Sequence, residues 1–279
     1  MFTDYASTLR EYSIFGDKRL SERFVAMIAG LGNNFGKSIP QSLGKPSQVK
    51  AAYNFFSHKR IEYQMITACE RDRVVFHIRQ SRPAVVLAIQ DTTTLDYTGT
   101  RSAKHLDSLT EPHLKGFYAH NHALFDAHGV PLGMLDQYQW NRPPQTIGTK
   151  GTKGIQRRRP IEEKESWRWV EQFDLLQDTF GQDAQTTFID ISDRDGDVHE
   201  LLQNRRCEHI HYIVRSRGDR SEHQTHRTVR QALAAEQPVA ADYAVEVQNH
   251  KTKVKRSAQV ELRFGSVVIQ AGYRPKGQT

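Results

Sequence analysis

A chain of 279 residues with 37% hydrophobic and 25% charged residues has the composition of a folded globular protein, which excludes a largely disordered chain. The only two cysteines, Cys69 and Cys207, are expected to be free thiols. The sequence has no signal peptide and no apolar run near eighteen residues, so we expect no membrane span and a cytoplasmic or bacterial nucleoid-associated location. The net charge of +7 and the sequence pI of about 9.4 favour a polyanionic partner.

Residues 1–80 are predicted to form a helical DNA-binding domain. One helix begins after Asp17, a suitable N-cap, a second begins near Pro46, and a third covers about 62–80. The second helix is predicted to bury Val49, Ala52, Tyr53 and Phe56. The domain has twelve Lys and Arg residues against seven Asp and Glu residues. The basic residues predicted to contact DNA are Lys18, Arg19, Arg23, Lys50, Lys59 and Arg60. The alternative is a solvated basic surface with no DNA partner.

From Ala84 onward the pattern changes to strands. The apolar run 84–90 predicts a strand that ends at Asp91. Residues 118–125 and 130–140 predict a hairpin around a turn at 126–129. The elements expected next are a mobile basic loop over 141–160, a helix over 161–180, a strand leading to Asp193, a helix over 197–205 and a strand over 209–215.

This succession of strand, hairpin, helix, strand, helix and strand is the order of the ribonuclease H-like fold. In that fold the first and fourth strands are neighbours, and each ends in a metal-binding aspartate. Residues 81–217 are therefore predicted to form such a core. Residues 218–279 are predicted to be rich in β-structure, with strands at 245–248, 258–263 and 266–271. The whole chain is thus expected to combine α+β and α/β organisation.

Asp91 and Asp193 are the candidate catalytic and metal-binding residues. Each follows an apolar run of about the length of one strand. An acidic residue at the tip of a buried strand is costly unless a positive group meets it, and two such carboxylates together suit a hard divalent cation. Two-metal carboxylate sites catalyse phosphoryl transfer on nucleic acids. The alternative is that both aspartates cap the turns that follow their strands.

A family resemblance rests on segments that occur in a matching order. They are Phe15–Arg23, Gly36–Ile39, Ala52–Phe56, Leu87–Thr93, Trp140–Pro143, Glu163–Ser166, Asp193–His199 and Val214–Ser216. In these segments the chain resembles the N-terminal portion of bacterial cut-and-paste transposases of the Tn-five type, in the IS-four family. The resemblance spans nearly the whole chain, and the two segments with aspartates are its most specific parts.

The resemblance implies a function for each part of the chain. It implies a helical domain that binds transposon ends, then a ribonuclease H-like core with an Asp-Asp-Glu triad that is interrupted by a β-rich insertion. Asp91 matches the first aspartate of the triad and Asp193 the second, whereas Asp195 and Asp197 are better interpreted as turn and cap residues. The cofactor implied is Mg²⁺ or Mn²⁺ in a two-metal site, and the partners are double-stranded DNA and a second copy of the chain.

The third carboxylate of the family is missing from this sequence. No Tyr-x-x-Arg-x-x-x-Glu pattern occurs, and Glu200, Glu246 and Glu261 lie in elements other than the one required. We therefore expect a truncated chain with an incomplete core, weak Mg²⁺ affinity and little strand cleavage. Two alternatives are a non-catalytic DNA-binding regulator of transposition and a metal nuclease that uses another acid.

Further positively charged and aromatic residues give weaker signals. Arg215 is predicted to meet the DNA backbone, with a salt bridge to a neighbouring acid as the alternative. The basic run 157–159 is expected to lie in a solvated loop, and Trp140 is either part of a family motif or a core residue. The alternating histidines 120 and 122 share a strand face, but they lack a clear third ligand for zinc.

Overall fold

A computed structural model describes residues 2–143, 160–223, 227–249 and 251–270 of the chain. The fold is mixed α+β, with a helical N-terminal region followed by a mixed sheet. The chain divides into two compact units, one that extends to Arg215 and one that begins at Ser216. No helix among the described residues is long and apolar enough to cross a membrane.

The N-terminal region consists of five helices around an aromatic core. They are α1 (Phe2–Thr8), α2 (Lys18–Asn33), α3 (Ile39–Leu43), α4 (Pro46–Phe56) and α5 (Tyr63–Ser81). The predicted N-cap Asp17 is confirmed, because its carboxylate accepts a hydrogen bond from the backbone N–H of Arg19 at 2.8 Å. In the core, the Phe15 ring meets the rings of Phe24 and Phe55 edge-on, with centroids 5.2 and 5.3 Å away. The short helices α1 and α3 were not predicted.

The predicted core face of α4 was partly wrong. Ala52 is buried as expected, but the side chains of Tyr53 and Phe56 are 52% and 50% exposed. Phe55 is fully buried instead, because it completes the aromatic core with α2. A narrow stripe formed by Ala52 and Phe55 therefore attaches α4, and Tyr53 remains available on the surface.

Five strands form one sheet in the order β3-β2-β1-β4-β5. Their bounds are β1 (Val85–Asp96), β2 (Gly116–Asp126), β3 (Pro131–Trp140), β4 (Thr187–Ser192) and β5 (Ile210–Val214). β2 is antiparallel to both β1 and β3, whereas β1, β4 and β5 run parallel to one another. Four of these strands were predicted within about two residues of their observed bounds, whereas β1 continues five residues past its predicted end at Asp91.

The position of Asp91 within β1 differs from the prediction. The pairing of β1 with β4 stops at Gln90, but its antiparallel pairing with β2 continues to Asp96. Asp91 therefore lies inside the strand, just beyond the parallel ladder, rather than at the strand end. The cause is that β2 is longer than β4 and continues to supply hydrogen-bond partners after β4 has ended.

One face of this sheet is covered by helices. Helix α6 (Trp167–Phe180) and the short α7 (His199–Gln203) follow β3 and β4 along the chain. Helix α6 begins later than predicted, since residues 161–163 form a separate 3-10 turn, and α7 is shorter at both ends than the predicted 197–205. The core on this face comprises residues of α5, α6 and α7 packed on alternate strand residues such as Val86, Leu124 and Phe188. Of the predicted loop over 141–160, residues 144–159 lie outside the described residues, and with them the basic run 157–159.

An ion pair on α5 anchors the helical region to the edge strand β3. The Arg73 guanidinium donates to the Glu70 carboxylate at 2.7 and 2.8 Å and to the Leu132 carbonyl at 2.7 Å. The Tyr5 hydroxyl also donates to Glu70, at 2.6 Å. Gly133 makes this approach possible, because a Cβ there would lie 2.2 Å from a Glu70 carboxylate oxygen.

The second unit contains one helix and one hairpin. Helix α8 (Val229–Glu236) was not predicted, and its N-terminus is closed by a capping box between Thr228 and Gln231. The strands β6 (Ala241–Gln248) and β7 (Lys255–Leu262) pair antiparallel, close to two of the predicted strands. The strand predicted at 266–271 was wrong for the residues described, which form only an isolated bridge between Ile269 and Glu222.

Candidate functional site

The two candidate aspartates lie side by side on neighbouring strands. In the parallel ladder the last pair is Gln90 with Ser192, so Asp91 and Asp193 are the next residues at the same level. Neighbouring strands are about 5 Å apart, which sets the separation of the two backbones. Both aspartates are exposed, whereas Gln90 and Ser192 before them are buried on the helix-covered face. Since strand side chains alternate, both carboxylates belong to the opposite face.

The two carboxylates differ in their local contacts. One oxygen of Asp193 accepts a hydrogen bond from the backbone N–H of Asp195 at 2.9 Å and caps the 3-10 turn 194–196. The capping alternative is thus confirmed for Asp193, although its second oxygen makes no contact with a described residue. Asp91 caps no turn, since β1 continues through it. Asp195 and Asp197 lie in and directly after the same 3-10 turn.

Arg215 lies beside Asp193 on the next strand. The ladder between β4 and β5 pairs Ser192 with Val214, and the backbone N–H of Arg215 continues it by donating to the Ser192 carbonyl at 3.1 Å. Arg215 therefore follows the level of the two aspartates, and strand alternation places it on their face. Its side chain is exposed and forms no ion pair with any described residue. The salt-bridge alternative is not seen in this part of the chain.

A buried polar network lies directly beneath the carboxylates, on the helix-covered face. Asp190 is fully buried, accepts a hydrogen bond from the Gln90 carboxamide at 2.8 Å, and lies 3.2 Å from Nε2 of His122. The side-chain Oε1 of Gln90 lies 3.1 Å from Nε2 of His120, whose Nδ1 is 2.8 Å from the Thr92 hydroxyl. Burial, then the neighbouring His122 and Arg168, lower the pKa of His120 to about 3.

The two alternating histidines of β2 thus belong to this network. Helix α6 extends it, because Gln172 lies 3.3 Å from Nδ1 of His122 and donates to Asp136 at 2.8 Å. The sequence analysis did not single out Asp190, Gln90 or Gln172. A signal was available for Asp190, which alternates with Phe188 and Ser192 and so shares their buried face.

Two segments of the transposase resemblance meet at the end of β3. Arg142 forms a two-point ion pair with Glu165, with nitrogen–oxygen distances of 2.6 and 2.9 Å, and its guanidinium lies 4.8 Å from the centre of the Tyr118 ring. Trp140 stacks on Tyr118 at 5.3 Å and is covered by the Arg168 guanidinium at 3.7 Å. Trp140 therefore has a packing role here, and Arg142 is already paired.

The basic residues predicted to contact DNA lie on the helices of the N-terminal region. Lys18, Arg19 and Arg23 belong to α2, Lys50 belongs to α4, and Lys59 and Arg60 follow α4. All are exposed except Arg23, which is half-buried. Lys18 is 4.0 Å from Glu22, and no ion pair to the other five occurs within the described residues.

Helix α4 presents an additional exposed face beside Lys50. Lys50, Tyr53 and Asn54 are three and four positions apart, so they share one side of the helix. Together with Pro40, Gly44 and Pro46 they line an open cleft. Sequence analysis assigned Tyr53 to the core and so missed it as a surface residue.

A comparison with known protein families agrees with this surface. Residues 4–61 match the family model described as Transposase DNA-binding. The N-terminal region therefore carries a transposase DNA-binding domain, and DNA is a supported partner. All six predicted DNA contacts of the helical region fall inside this match. The match ends at residue 61, before α5 and the sheet.

Proposed function

We propose that the chain is a DNA transposase of the cut-and-paste Asp-Asp-Glu type, related to the IS-four family. The N-terminal helices bind transposon ends, and the sheet carries the residues for phosphodiester hydrolysis and strand transfer. The observation that carries this proposal is the register of β1 and β4, which brings Asp91 and Asp193 to one level on an exposed face. The strand order and directions agree with a ribonuclease H-like core and support the proposal.

The two carboxylates suit hydrated Mg²⁺ or Mn²⁺. Asp91 and one oxygen of Asp193 offer hard oxygen ligands, and Mg²⁺ in enzymes is often held by one or two carboxylates, waters and substrate phosphates. Among the described residues no third Asp, Glu, His or Cys joins them in a metal-binding group, so we expect weak affinity in the absence of DNA. In such a site metal ions activate the attacking water or 3′-hydroxyl and stabilise the leaving oxygen.

In this proposal, different residues of the chain bind the DNA and take part in the reaction. The basic residues of α2 and α4 bind and orient the duplex through its phosphates. Asp91 and Asp193 are the catalytic ligands, and Arg215 contacts the backbone of the strand next to Asp193. As in the family it resembles, the chain would act as a homodimer on two DNA ends.

The first experiment tests the metal site. The 279-residue chain is titrated with Mn²⁺ and the free ion is followed by electron paramagnetic resonance. We expect Asp91→Asn and Asp193→Asn each to weaken Mn²⁺ binding at least about tenfold, the effect of about 1.4 kcal/mol. Asp96→Asn is the matched control, because Asp96 is an exposed carboxylate farther along β1. Equal affinity for all three variants would refute the carboxylate site.

The second experiment tests the DNA-binding surface and separates the two candidate functions. Duplexes bound by the chain are selected from a random library, and affinity for the selected duplex is measured at moderate salt. We expect Arg19→Ala with Arg23→Ala to weaken binding strongly and to lower the salt slope by about two units. The control removes Arg101 and Lys104, two exposed basic residues between β1 and β2. Unchanged affinity of the α2 variant would contradict the assignment.

The results of the two experiments together distinguish the transposase from the alternative, a DNA-binding regulator. The observation behind this alternative is that the family match covers only residues 4–61. Selective DNA binding that persists in Asp91→Ala, with no Mn²⁺ bound at the carboxylates of the unsubstituted chain, would support the regulator. Mn²⁺ binding that depends on both aspartates would support the transposase.

A further inference from the structure

Two more polar residues lie in line with Asp91 and Asp193, on the strands farther from Arg215. Asp91 pairs with Asn121 on β2, and Asn121 pairs with Gln137 on β3. Residues of paired strands at one level share a face, so both amides lie on the face of the carboxylates. We call Arg215, Asp193, Asp91, Asn121 and Gln137 the polar row. It crosses five strands, or four strand spacings, which is about 19 Å.

The two amides of the polar row are held in a defined orientation. The Tyr63 hydroxyl lies within donating distance of both the backbone carbonyl and the side-chain Oε1 of Gln137, at 2.7 Å each. The Gln137 Nε2 in turn donates to Oδ1 of Asn121 at 2.6 Å. Because Oδ1 of Asn121 faces Gln137 on β3, we infer that its Nδ2 faces the other neighbour, Asp91 on β1. This Nδ2 makes no hydrogen bond to any described residue.

We propose that Asn121, oriented by Gln137, donates a hydrogen bond to the phosphate backbone of the DNA strand that crosses the carboxylates. This inference rests on the proposed function and adds a substrate contact to it. Arg215 would hold the backbone at one end of the polar row, and the amide Nδ2 holds it on the other side of Asp91. Phosphate contacts of this kind fix the position of DNA without reading its sequence.

An amide suits this position better than a cation does. Lys or Arg opposite Asp91 would form an ion pair with it, because cross-strand neighbours have Cβ atoms about 5 Å apart. The pair would compete with a metal ion for the carboxylate. The neutral Nδ2 of Asn121 donates to an anionic oxygen and leaves the charge of Asp91 available, and a hydrogen bond to a charged acceptor is stronger than one to a neutral acceptor.

Tyr63 connects the polar row to the DNA-binding helices. It is the first residue of α5, two positions after the end of the transposase DNA-binding match at residue 61. Its hydroxyl is bonded to Gln137, so the helical region and the amides of the polar row are in direct contact. A duplex held by α2 and α4 would therefore meet the row in one orientation. Tyr63 and Gln137 act as positioning residues, since they reach the DNA only through Asn121.

The test removes the Nδ2 donor of Asn121 and keeps the hydrogen bond from Gln137. Asn121→Asp keeps an oxygen for the Gln137 amide and exchanges Nδ2 for an anionic oxygen. The matched control is Gln185→Glu, which adds the same charge at an exposed residue before the start of β4, at the opposite end of that strand. Both variants and the unsubstituted chain are compared on the selected duplex by hydroxyl-radical footprinting with iron–EDTA, under conditions that saturate the helical domain.

We expect Asn121→Asp to lose protection over a short run of adjacent nucleotides and to bind about tenfold more weakly, the effect of one hydrogen bond to a charged group. Gln185→Glu keeps the full footprint. For Asn121→Ser, which retains a donor, and for Tyr63→Phe, we expect a loss of protection smaller than that of Asn121→Asp. Equal footprints for Asn121→Asp and Gln185→Glu would overturn this inference alone. Absence of any footprint with the unsubstituted chain would instead overturn the proposed function.

The thermal unfolding of each variant provides the check on folding. If Asn121→Asp were unfolded, Asn121→Ser and Tyr63→Phe would decide the question, because both keep the charge of the site unchanged. A regional loss of protection in either supports the amide contact, and full protection in both contradicts it.

Discussion

The two faces of the five-stranded sheet use aspartate in opposite ways. On the helix-covered face, Asp190 is fully buried and is contacted by Gln90 and His122. On the other face, Asp91 and Asp193 are exposed, and Asp91 makes no hydrogen bond to a described residue. Asp190 and Asp193 are three residues apart in sequence, and Asp91 lies on the neighbouring strand β1. Strand alternation alone separates the structural carboxylate from the candidate ligands.

A buried aspartate and an exposed aspartate suit different functions. Burying a carboxylate is costly unless protein donors meet it. Oδ1 of Asp190 is met by the Gln90 amide, whereas Oδ2 has no hydrogen-bond partner among the described residues. A carboxylate that is to bind a cation needs oxygens without protein partners. The contacts of Asp190 to Gln90 and His122 join β4 to β1 and β2, while Asp91 and Asp193 are exposed on the opposite face.

The largest expected effect comes from removing the buried carboxylate. We predict that Asp190→Ala lowers the free energy of unfolding by about 3–5 kcal/mol, because it leaves the Gln90 amide and His122 without their buried partner and creates a cavity. Urea denaturation monitored by circular dichroism measures the change. Asp190→Asn keeps the volume and one acceptor oxygen, so it should cost clearly less. An equal loss for Asp91→Ala would contradict the distinction between the two faces.

The second prediction concerns the pH dependence conferred by the buried network. The pKa of His120 is about 3 in the folded chain, against 6.5 in the unfolded chain, and its main cause is burial. Between these values the unfolded state binds a proton that the folded state does not, so stability is present above pH 6.5 and is lost as the pH falls. Going from pH 7 to pH 5, this group should remove roughly 2 kcal/mol.

The His120→Gln variant isolates that contribution. Glutamine offers an amide to Thr92 and Gln90 but does not titrate, so its unfolding free energy should decline less between pH 7 and pH 5. The other titratable groups are common to both proteins, so the difference between the two profiles reports on His120. Superimposable pH profiles for the two proteins would show that His120 is not kept neutral by burial.

Much of the fold could be predicted because its signals are local. Asp17 marked the start of α2, and the turn before Gly129 marked the hairpin of β2 and β3. The apolar runs before Asp91 and Asp193 located β1 and β4. Each of these signals depends on residues close in sequence, where helix caps, turn residues and hydrophobic periodicity act.

The rest depends on contacts between distant segments. Asn121 and Gln137 join the polar row only through the pairing of three strands, and nothing in their own neighbourhood marks them. Tyr53 fitted a core stripe by spacing, but Phe55 occupies the contact with α2 because it completes an aromatic cluster. Asp91 was placed at a strand end because the length of β2 could not be inferred from the sequence of β1.

A smaller effect is expected from metal binding on the exposed face. If the proposed site binds Mn²⁺, a concentration ten times the dissociation constant should stabilise the folded chain by about 1.4 kcal/mol. Thermal unfolding with and without Mn²⁺ measures this shift. Asp91→Asn should abolish it and Asp96→Asn should retain it. A Mn²⁺-dependent shift that persists in Asp91→Asn would place the bound ion elsewhere in the chain.

The smallest expected effect distinguishes the two exposed carboxylates from each other. Without metal, Asp193→Ala should cost about 1 kcal/mol, because it removes the acceptor for the Asp195 N–H at the start of the 3-10 turn. Asp91→Ala should change stability by less than about 0.5 kcal/mol, as expected for an exposed residue that makes no hydrogen bond. Asp193→Asn keeps the acceptor and should restore most of the loss. Urea denaturation in EDTA measures all three, and equal costs for Asp91→Ala and Asp193→Ala would mean that the cap contributes nothing. The difference matters for function because Asp193 would then offer a metal ion a carboxylate constrained by its cap, whereas Asp91 would offer one without a hydrogen bond to a described residue.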